Sequence, residues 1–188
     1  MGEKEALPVY MDPIEFSQLL AIVNALGPRR CLEWGSGGST RALLEHCPFI
    51  EQYVSVEHDG EWHQQVKQRV EDPRLELNHV PPDKPMSPGK HKHEDVVAWD
   101  ASGEVDPGVM AEYVAFPATL DQQFDFVLVD GRARRFCLKA GWELLRPGGV
   151  IVLHDAQRTQ YHDAVRSLGR AVFLEPWKQG QLCLVRKD

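Results

Sequence analysis

The residues able to do chemistry stand at the ends of apolar runs. Cys31-Leu32-Glu33-Trp34 leads into Gly35-Ser36-Gly37-Gly38-Ser39-Thr40, and Tyr53-Val54-Ser55-Val56 leads into Glu57-His58. Later, Phe124–Val129 ends at Asp130-Gly131, and Val150–Leu153 ends at His154-Asp155. Glycines let a backbone turn sharply and approach a ligand. An acid closing the second run can accept hydrogen bonds from both hydroxyls of a ribose. Strand, glycine turn, helix, strand, acid is the order of a nucleoside-cofactor site in a doubly wound sheet. The candidate cofactor contacts are Glu33, Gly35, Ser36, Gly37, Gly38, Ser39, Thr40, Glu57 and His58.

A dinucleotide fingerprint needs glycine at its first, third and sixth positions, the last for close helix–strand packing. Gly35 and Gly37 fill two of these, but Thr40 stands at the sixth. Glu33, two residues before Gly35, suits a neighbouring ammonium better than a pyrophosphate. Glu33-Trp34-Gly35-Ser36-Gly37 resembles the first motif of the class I S-adenosylmethionine (SAM)-dependent methyltransferases, acid-x-Gly-x-Gly. Phe124-Asp125-Phe126-Val127-Leu128-Val129-Asp130-Gly131 resembles that family's fourth motif, and Leu145-Arg146-Pro147-Gly148-Gly149-Val150-Ile151-Val152 its fifth-strand motif. The resemblance covers residues 28–77 and 124–188 and points to a small-molecule O-methyltransferase-like branch. It implies SAM as cofactor and S-adenosylhomocysteine (SAH) as product. The alternatives are a nicotinamide-dependent oxidoreductase on a similar fold and a non-catalytic module binding a nucleoside or a protein.

Strand tips of an open α/β sheet face the ligand crevice, so Asp130, His154 and Asp155 are the candidate catalytic residues. A sulfonium methyl is already electrophilic, which leaves alignment and removal of the acceptor's proton to the protein. His154, with the ordinary pKa of a histidine, is the expected general base, oriented or replaced by Asp130 or Asp155. Some related O-methyltransferases hold a divalent cation with acids at these tips and an Asn after the second. Ala156 stands at that place here, so a metal is not favoured and no metal ligands are assigned. Arg132 and Arg158 follow the same tips and could bind a substrate carboxylate or phosphate, with Tyr161 on the helix face of Arg158. Arg134 and Arg135 follow the same tip and either share that anion-binding role or form a solvated helix start.

The elements that must position these residues follow from periodicity. Asp12-Pro13 opens a helix carrying Ile14, Phe16, Leu19, Leu20, Val23 and Leu26, and Gly27-Pro28 closes it. A helix begins near Ser39 or Thr40, one of which is its expected cap. Another helix is expected over 61–71 and a third strand over 74–80. Helices over 132–146 and 159–168 follow the later strands, with Pro147-Gly148-Gly149 as a turn. Strands over 171–174 and 181–185, joined by a turn at Gln179-Gly180, should pair antiparallel. The fold expected is therefore α/β, a Rossmann-like seven-stranded, mostly parallel sheet with helices on both faces and a C-terminal antiparallel hairpin. The 83–123 segment, punctuated by Pro and Gly, is expected to be an insertion over the crevice, a lid or substrate segment. It should hold a short strand at Val96–Trp99 and a helix at Val109–Val114. His91-Lys92-His93, inside it, reads as a solvated loop.

The 188 residues suit one domain, with 43% hydrophobic and 26% charged residues, ordinary for a globular protein. No apolar run reaches the roughly 20 residues of a membrane span. The start lacks a signal-peptide apolar region, and Ala6 breaks the myristoylation pattern. Cys31, Cys47, Cys137 and Cys183 are scattered without a Cys-x-x-Cys pair and read as buried thiols, so a cytoplasmic location is expected. The net charge of −7 opposes a broad nucleic-acid surface. The expected partner is a small-molecule substrate, with no nucleic acid and no membrane, and a homodimer is allowed for.

Overall fold

A computed structural model describes residues 7–87, 89–175 and 180–188. Helix α1 spans Pro13–Leu26 and β1 Arg30–Trp34. The Asp12 side chain accepts from Ile14 N at 2.9 Å, and Gly27 ends the helix in the left-handed conformation at φ 57°. Then come α2 (Gly38–His46), β2 (Gln52–Glu57), α3 (Gly60–Arg69) and β3 (Leu75–His79). The second half holds β4 (Phe124–Val129), β5 (Leu145–Leu153), β6 (Val172–Phe173) and β7 (Cys183–Arg186). All seven strands form one sheet in the order β3-β2-β1-β4-β5-β7-β6. Strands β1 to β5 pair in parallel, and β7 pairs antiparallel with both β5 and β6. The expected closing hairpin is present, although Gln179 of its turn lies outside the described residues.

The inner strands are buried throughout, as their apolar runs require. Alternation sends Leu32, Trp34, Val127 and Val129 into one core layer and Cys31, Phe126, Leu128 and Val152 into the other. Helices α1 and α2 cover the second layer, through Leu19, Val23, Leu43 and Leu44. All four cysteines are buried free thiols. Among the described residues no helix is long and apolar enough to cross a membrane.

Four local expectations need correction. The cap of α2 is Gly37, not Ser39 or Thr40; Thr40 Oγ1 instead accepts from Gly37 N at 2.8 Å. Val96–Trp99 is not a strand but lies within helix α4 (His93–Gly103). Pro147–Gly149 do not turn the chain before β5; they lie inside it, where its register against β4 shifts between Phe124 and Phe126. Helix α6 begins only at Arg134 and ends at Leu144, because Ala133 caps it in the left-handed region at φ 51°.

The 83–123 segment is largely helical. After α4 it forms a 3-10 turn at Pro107–Val109, α5 (Ala111–Ala115) and a second 3-10 turn at Phe116–Leu120. Its middle is anchored in the core: Val109, Met110 and Tyr113 are buried, and Trp34 Nε1 donates to Tyr113 O at 3.0 Å. Most of α4 is exposed, and Trp99 Nε1 ties it back to Lys84 O at 2.9 Å. The last helix, α7 (His162–Arg166), follows a 3-10 turn at Thr159–Tyr161.

Candidate functional site

Parallel pairing brings the strand ends together. Gly35 N donates to Val56 O at 2.9 Å, Asp130 N to Trp34 O at 2.9 Å, and His154 N to Val129 O at 3.0 Å. A cleft of about 850 Å³ opens over these ends. Gly35, Ser36, Glu57, His58, Asp130, Arg132, His154, Asp155 and Arg158, all expected in the site, line it. Of the remaining candidates, Glu33, Gly37, Gly38, Ser39, Thr40 and Tyr161 lie outside that lining.

The glycine turn needs its glycines for packing as well as for torsion. Gly35 sits at φ 95°, and a Cβ there would come 2.7 Å from Gly131 Cα, so the turns after β1 and β4 touch backbone to backbone. A Cβ on Gly38 would stand 2.4 Å from Pro8 O, because the segment before α1 runs across the turn. That segment supplies Val9, Tyr10, Met11 and Asp12 to the cleft wall. Trp62 on α3 closes the turn from the other side, its Nε1 donating to Ser36 O at 2.6 Å.

Glu33 lies behind the turn. On β1 it shares the side of Cys31, beneath α2, and it is fully buried. Its carboxyl accepts from Ser39 Oγ at 2.9 Å, from Ser55 Oγ at 3.0 Å and from Thr40 Oγ1. Burial pushes its pKa up to about 8, against the pull of the Thr40, Ser39 and Ser55 hydrogen bonds and helped by the charge of Asp130. At neutral pH it is mainly a protonated staple of the turn.

Glu57 faces the cleft. Its Oε1 accepts from the backbone N–H of His58 at 2.8 Å and of Asp59 at 2.9 Å. Its Oε2 accepts from Ser36 N at 3.1 Å and from Ser36 Oγ at 3.3 Å. The last contact is the longest, so an incoming hydroxyl need displace only a side-chain hydroxyl. His58 stacks on Trp99 of α4 with ring centroids 6.2 Å apart and meets the edge of Tyr113 at 5.8 Å.

A charged cluster occupies the ends of β4 and β5, and its hub is Arg134. This side chain is 5% exposed, so the solvated helix start, one of the two readings open to it from the sequence, gives way. It donates to Asp155 Oδ2 at 2.9 Å, and to the carbonyls of Gly131 at 2.8 Å, His154 at 2.7 Å and Asp130 at 3.0 Å; Nη2 lies 3.5 Å from Asp130 Oδ1. Glu104 accepts from the N–H groups of Arg134 at 3.1 Å and Arg135 at 3.3 Å, holding the start of α6. Tyr161 supports this hub from below. Its ring lies 5.8 Å from the Arg134 guanidinium, and its hydroxyl is 3.4 Å from Glu104 Oε1. Arg158 pairs with Asp155 Oδ2 at 2.9 Å and Arg132 with Asp100 at 3.2 Å, both at the rim.

His154 is enclosed by carboxylates. Nδ1 bonds Asp130 Oδ1, Nε2 lies 3.2 Å from Glu15 Oε2 on α1, and Asp155 Oδ1 is 4.0 Å away. Burial opposes its charge, but Asp130, then Glu15 and Asp155, outweigh burial and hold its pKa up at about 10. The near-neutral imidazole expected of a general base is thus corrected to a stable imidazolium. Burial also opposes the charge on Asp155, yet Arg134 and His154 hold its carboxyl below the usual range. Glu15 and Trp62 are among the cleft residues that the sequence reading did not assign, and Arg134 was left between two roles there. Arg134 was signalled only by its place after a strand-tip acid, and Glu15 by nothing local.

The family model described as a methyltransferase domain matches residues 32–156, two thirds of the chain, and the chain belongs to that family. Fold and family together make it a class I SAM-dependent methyltransferase, and the nicotinamide reading gives way. The fold is shared with a methyltransferase-like protein from Silicibacter pomeroyi, at 22% identity and TM-score 0.59, covering 97% of this chain and 90% of that one. It is shared with an O-methyltransferase from Bacillus cereus solved with SAH, at 16% identity and TM-score 0.60, covering 96% and 84%. A 16S rRNA N2 G1207 methyltransferase from T. thermophilus, solved with AdoMet and guanosine, matches at 17% identity and TM-score 0.61, covering 95% of this chain and 44% of that one. A comparison with curated protein sequences finds no significant match.

Proposed function

We propose that the cleft takes SAM, releases SAH, and methylates an oxygen of a small-molecule acceptor. The observation that carries this reading is the charge of the lining. Six carboxylates (Asp12, Glu15, Glu57, Asp59, Asp130, Asp155) face three guanidinium groups and the His154 imidazolium. That excess suits a sulfonium and an ammonium and opposes a pyrophosphate or the backbone of an RNA. The likeness to an O-methyltransferase supports oxygen as the accepting atom.

Bound SAM supplies an electrophilic methyl group on a cationic sulfur. Gly35, Ser36, Glu57 and His58 would hold it, with Glu57 reaching the ribose hydroxyls. Gly37, Gly38, Ser39, Thr40 and Glu33 shape the turn from behind. Asp130, His154 and Asp155 form a charged floor on the acceptor side, and Arg132 and Arg158 offer guanidinium groups to an anionic acceptor. We also read α4 as the cover of the nucleoside side, because Trp99 on this exposed helix lies over His58. SAH should then slow proteolysis within α4, and equal cleavage with and without SAH would make the segment a fixed insertion.

Calorimetry tests the cofactor. SAM and SAH should bind and NAD should not; tight NAD binding without SAM binding would overturn the reading. Glu57→Ala should weaken SAH about tenfold or more, since each charge-assisted bond is worth roughly 1.5–3 kcal/mol. An unchanged affinity in the folded variant would remove Glu57 from the site. A methyl-transfer screen over metabolite pools then finds the acceptor.

A further inference from the structure

Glu15 comes from α1, outside the residues matched by the family model, and lines the cleft. It is 3% exposed. Its Oε2 is spoken for, 3.2 Å from His154 Nε2. Its Oε1 is buried and has no hydrogen-bond partner among the described residues. A buried polar atom left unpaired is costly and calls for a reason. A counter-ion to His154 needs one oxygen only, so a purely structural role leaves the second unexplained. Room for the carboxylate is also built in: a Cβ on Gly180 would stand 2.3 Å from Oε2 and 3.0 Å from Oε1. Gly180 lines the same cleft.

We propose that Glu15 is the general base of the reaction, receiving the acceptor's hydroxyl proton on Oε1 while His154 holds Oε2. This rests on the methyl-transfer reading above. In the step, the acceptor oxygen gains a bond to the methyl carbon and loses its bond to hydrogen. The proton goes to Oε1, and the electron pair of the broken sulfur–carbon bond stays on sulfur. Glu15 ends as a neutral acid and returns its proton to water after product leaves. His154 keeps its own proton throughout, because Asp130 and Glu15 bond both ring nitrogens, Asp155 lies near, and Arg134 donates to its carbonyl. It is a positioning residue here, holding Oε2 at 3.2 Å so that Oε1 is left for the acceptor's proton.

Sinefungin, a SAM analogue with an ammonium where the transferable methyl group stands, tests the placement without any acceptor. Calorimetry on the wild type should show sinefungin binding about tenfold tighter than SAH, the scale of one charge-assisted bond. In Glu15→Gln the preference should vanish while SAH affinity stays within about threefold. Glu15→Asp, which keeps the charge but withdraws the oxygen, should lower the preference and serves if Glu15→Gln does not fold. With the acceptor found by the screen, Glu15→Gln should lose roughly 10²–10⁴ in turnover. An undiminished sinefungin preference in Glu15→Gln overturns the proposal, and so does loss of SAH binding by a cooperatively melting variant. A wild type that binds neither ligand overturns the cofactor reading itself, and this proposal with it.

Discussion

The two ends of the cleft are held by different physics. At the β1–β2 end, short contacts close in sequence fix a turn: Thr40 to Gly37, Ser39 and Thr40 to Glu33, and His58 and Asp59 to Glu57. Most donors there are neutral hydroxyls or backbone N–H groups, and Glu33 is a neutral acid near pH 7. At the β4–β5 end, the buried Arg134, His154, Asp155 and Glu15 and the half-buried Asp130 form a network of ion pairs. Under the proposed function, cofactor recognition falls to an end held mostly by neutral donors, and the chemistry to an end held by ion pairs. The second is the more sensitive of the two to the loss of a partner, because a buried charge without its counter-charge is expensive.

The largest effect should come from breaking the charged end. Arg134→Met removes the guanidinium that Asp155 and three carbonyls share. Breaking a buried ion pair costs about 3–5 kcal/mol, to be read by urea unfolding. Arg132→Ala loses a partly exposed pair with Asp100, worth at most about 1 kcal/mol. Equal losses in the two variants would end the claim that Arg134 is a hub.

This contrast explains what was legible in the sequence. The fold was legible because strand tips, glycine turns and helical periodicity are local signals; the seven strands stand where apolar runs placed them, with the β5 bulge and the helical Val96–Trp99, expected as a strand, as departures. The β1–β2 end was legible for the same reason. For Glu33 the side of the strand follows from alternation with Cys31, although that its oxygens meet Ser39, Thr40 and Ser55 does not. The β4–β5 end was legible only as a set of strand-tip acids. Glu15 lies 139 residues from His154, and Arg134 bonds Glu104 across 30 residues. No spacing rule connects such pairs, and without them His154 reads as an ordinary neutral-range base.

The two ends also lose stability in different pH windows, an effect of intermediate size. Glu33 has its pKa raised from 4.5 to about 8, so the folded state holds a proton that the unfolded state has released. Its contribution is complete below 4.5 and is lost as pH rises through 8. His154 has its pKa raised from 6.5 to about 10, so its contribution is complete below 6.5 and is lost as pH rises through 10. Of the two, only Glu33 acts between 4.5 and 6.5. Urea unfolding over that lower window should show stability falling with pH in the wild type and a flatter profile in Glu33→Gln. His154→Gln should flatten the upper window instead. Identical profiles for Glu33→Gln and the wild type would mean that Glu33 is ionised in the folded protein.

The smallest expected effect is that of metal removal. A divalent cation between Asp130 and Asp155 needs open carboxylate oxygens. Here Asp130 Oδ1 bonds His154, Asp155 Oδ2 receives Arg134 and Arg158 at 2.9 Å each, and Asp155 Oδ1 receives Gln157 at 3.1 Å. A guanidinium and an imidazolium already neutralise the two acids, so this donor set does not fit a cation, and we propose metal-independent transfer. EDTA should leave turnover within about twofold, an energy below RT. The binding test is sharper, because it needs no acceptor. A cation held at a hundredfold excess over its Kd would stabilise the fold by about 2.7 kcal/mol, so Mg²⁺ or Mn²⁺ should leave the melting temperature unchanged. Arg134→Met carries the test one step further, since it removes the guanidinium that both carboxylates share. If Arg134 stands in for a metal, Mn²⁺ should raise the melting temperature of that variant and not of the wild type. Stabilisation of the wild type by Mn²⁺ would show instead that the carboxylates hold a cation beside the guanidinium, and would overturn the claim that this donor set does not fit one.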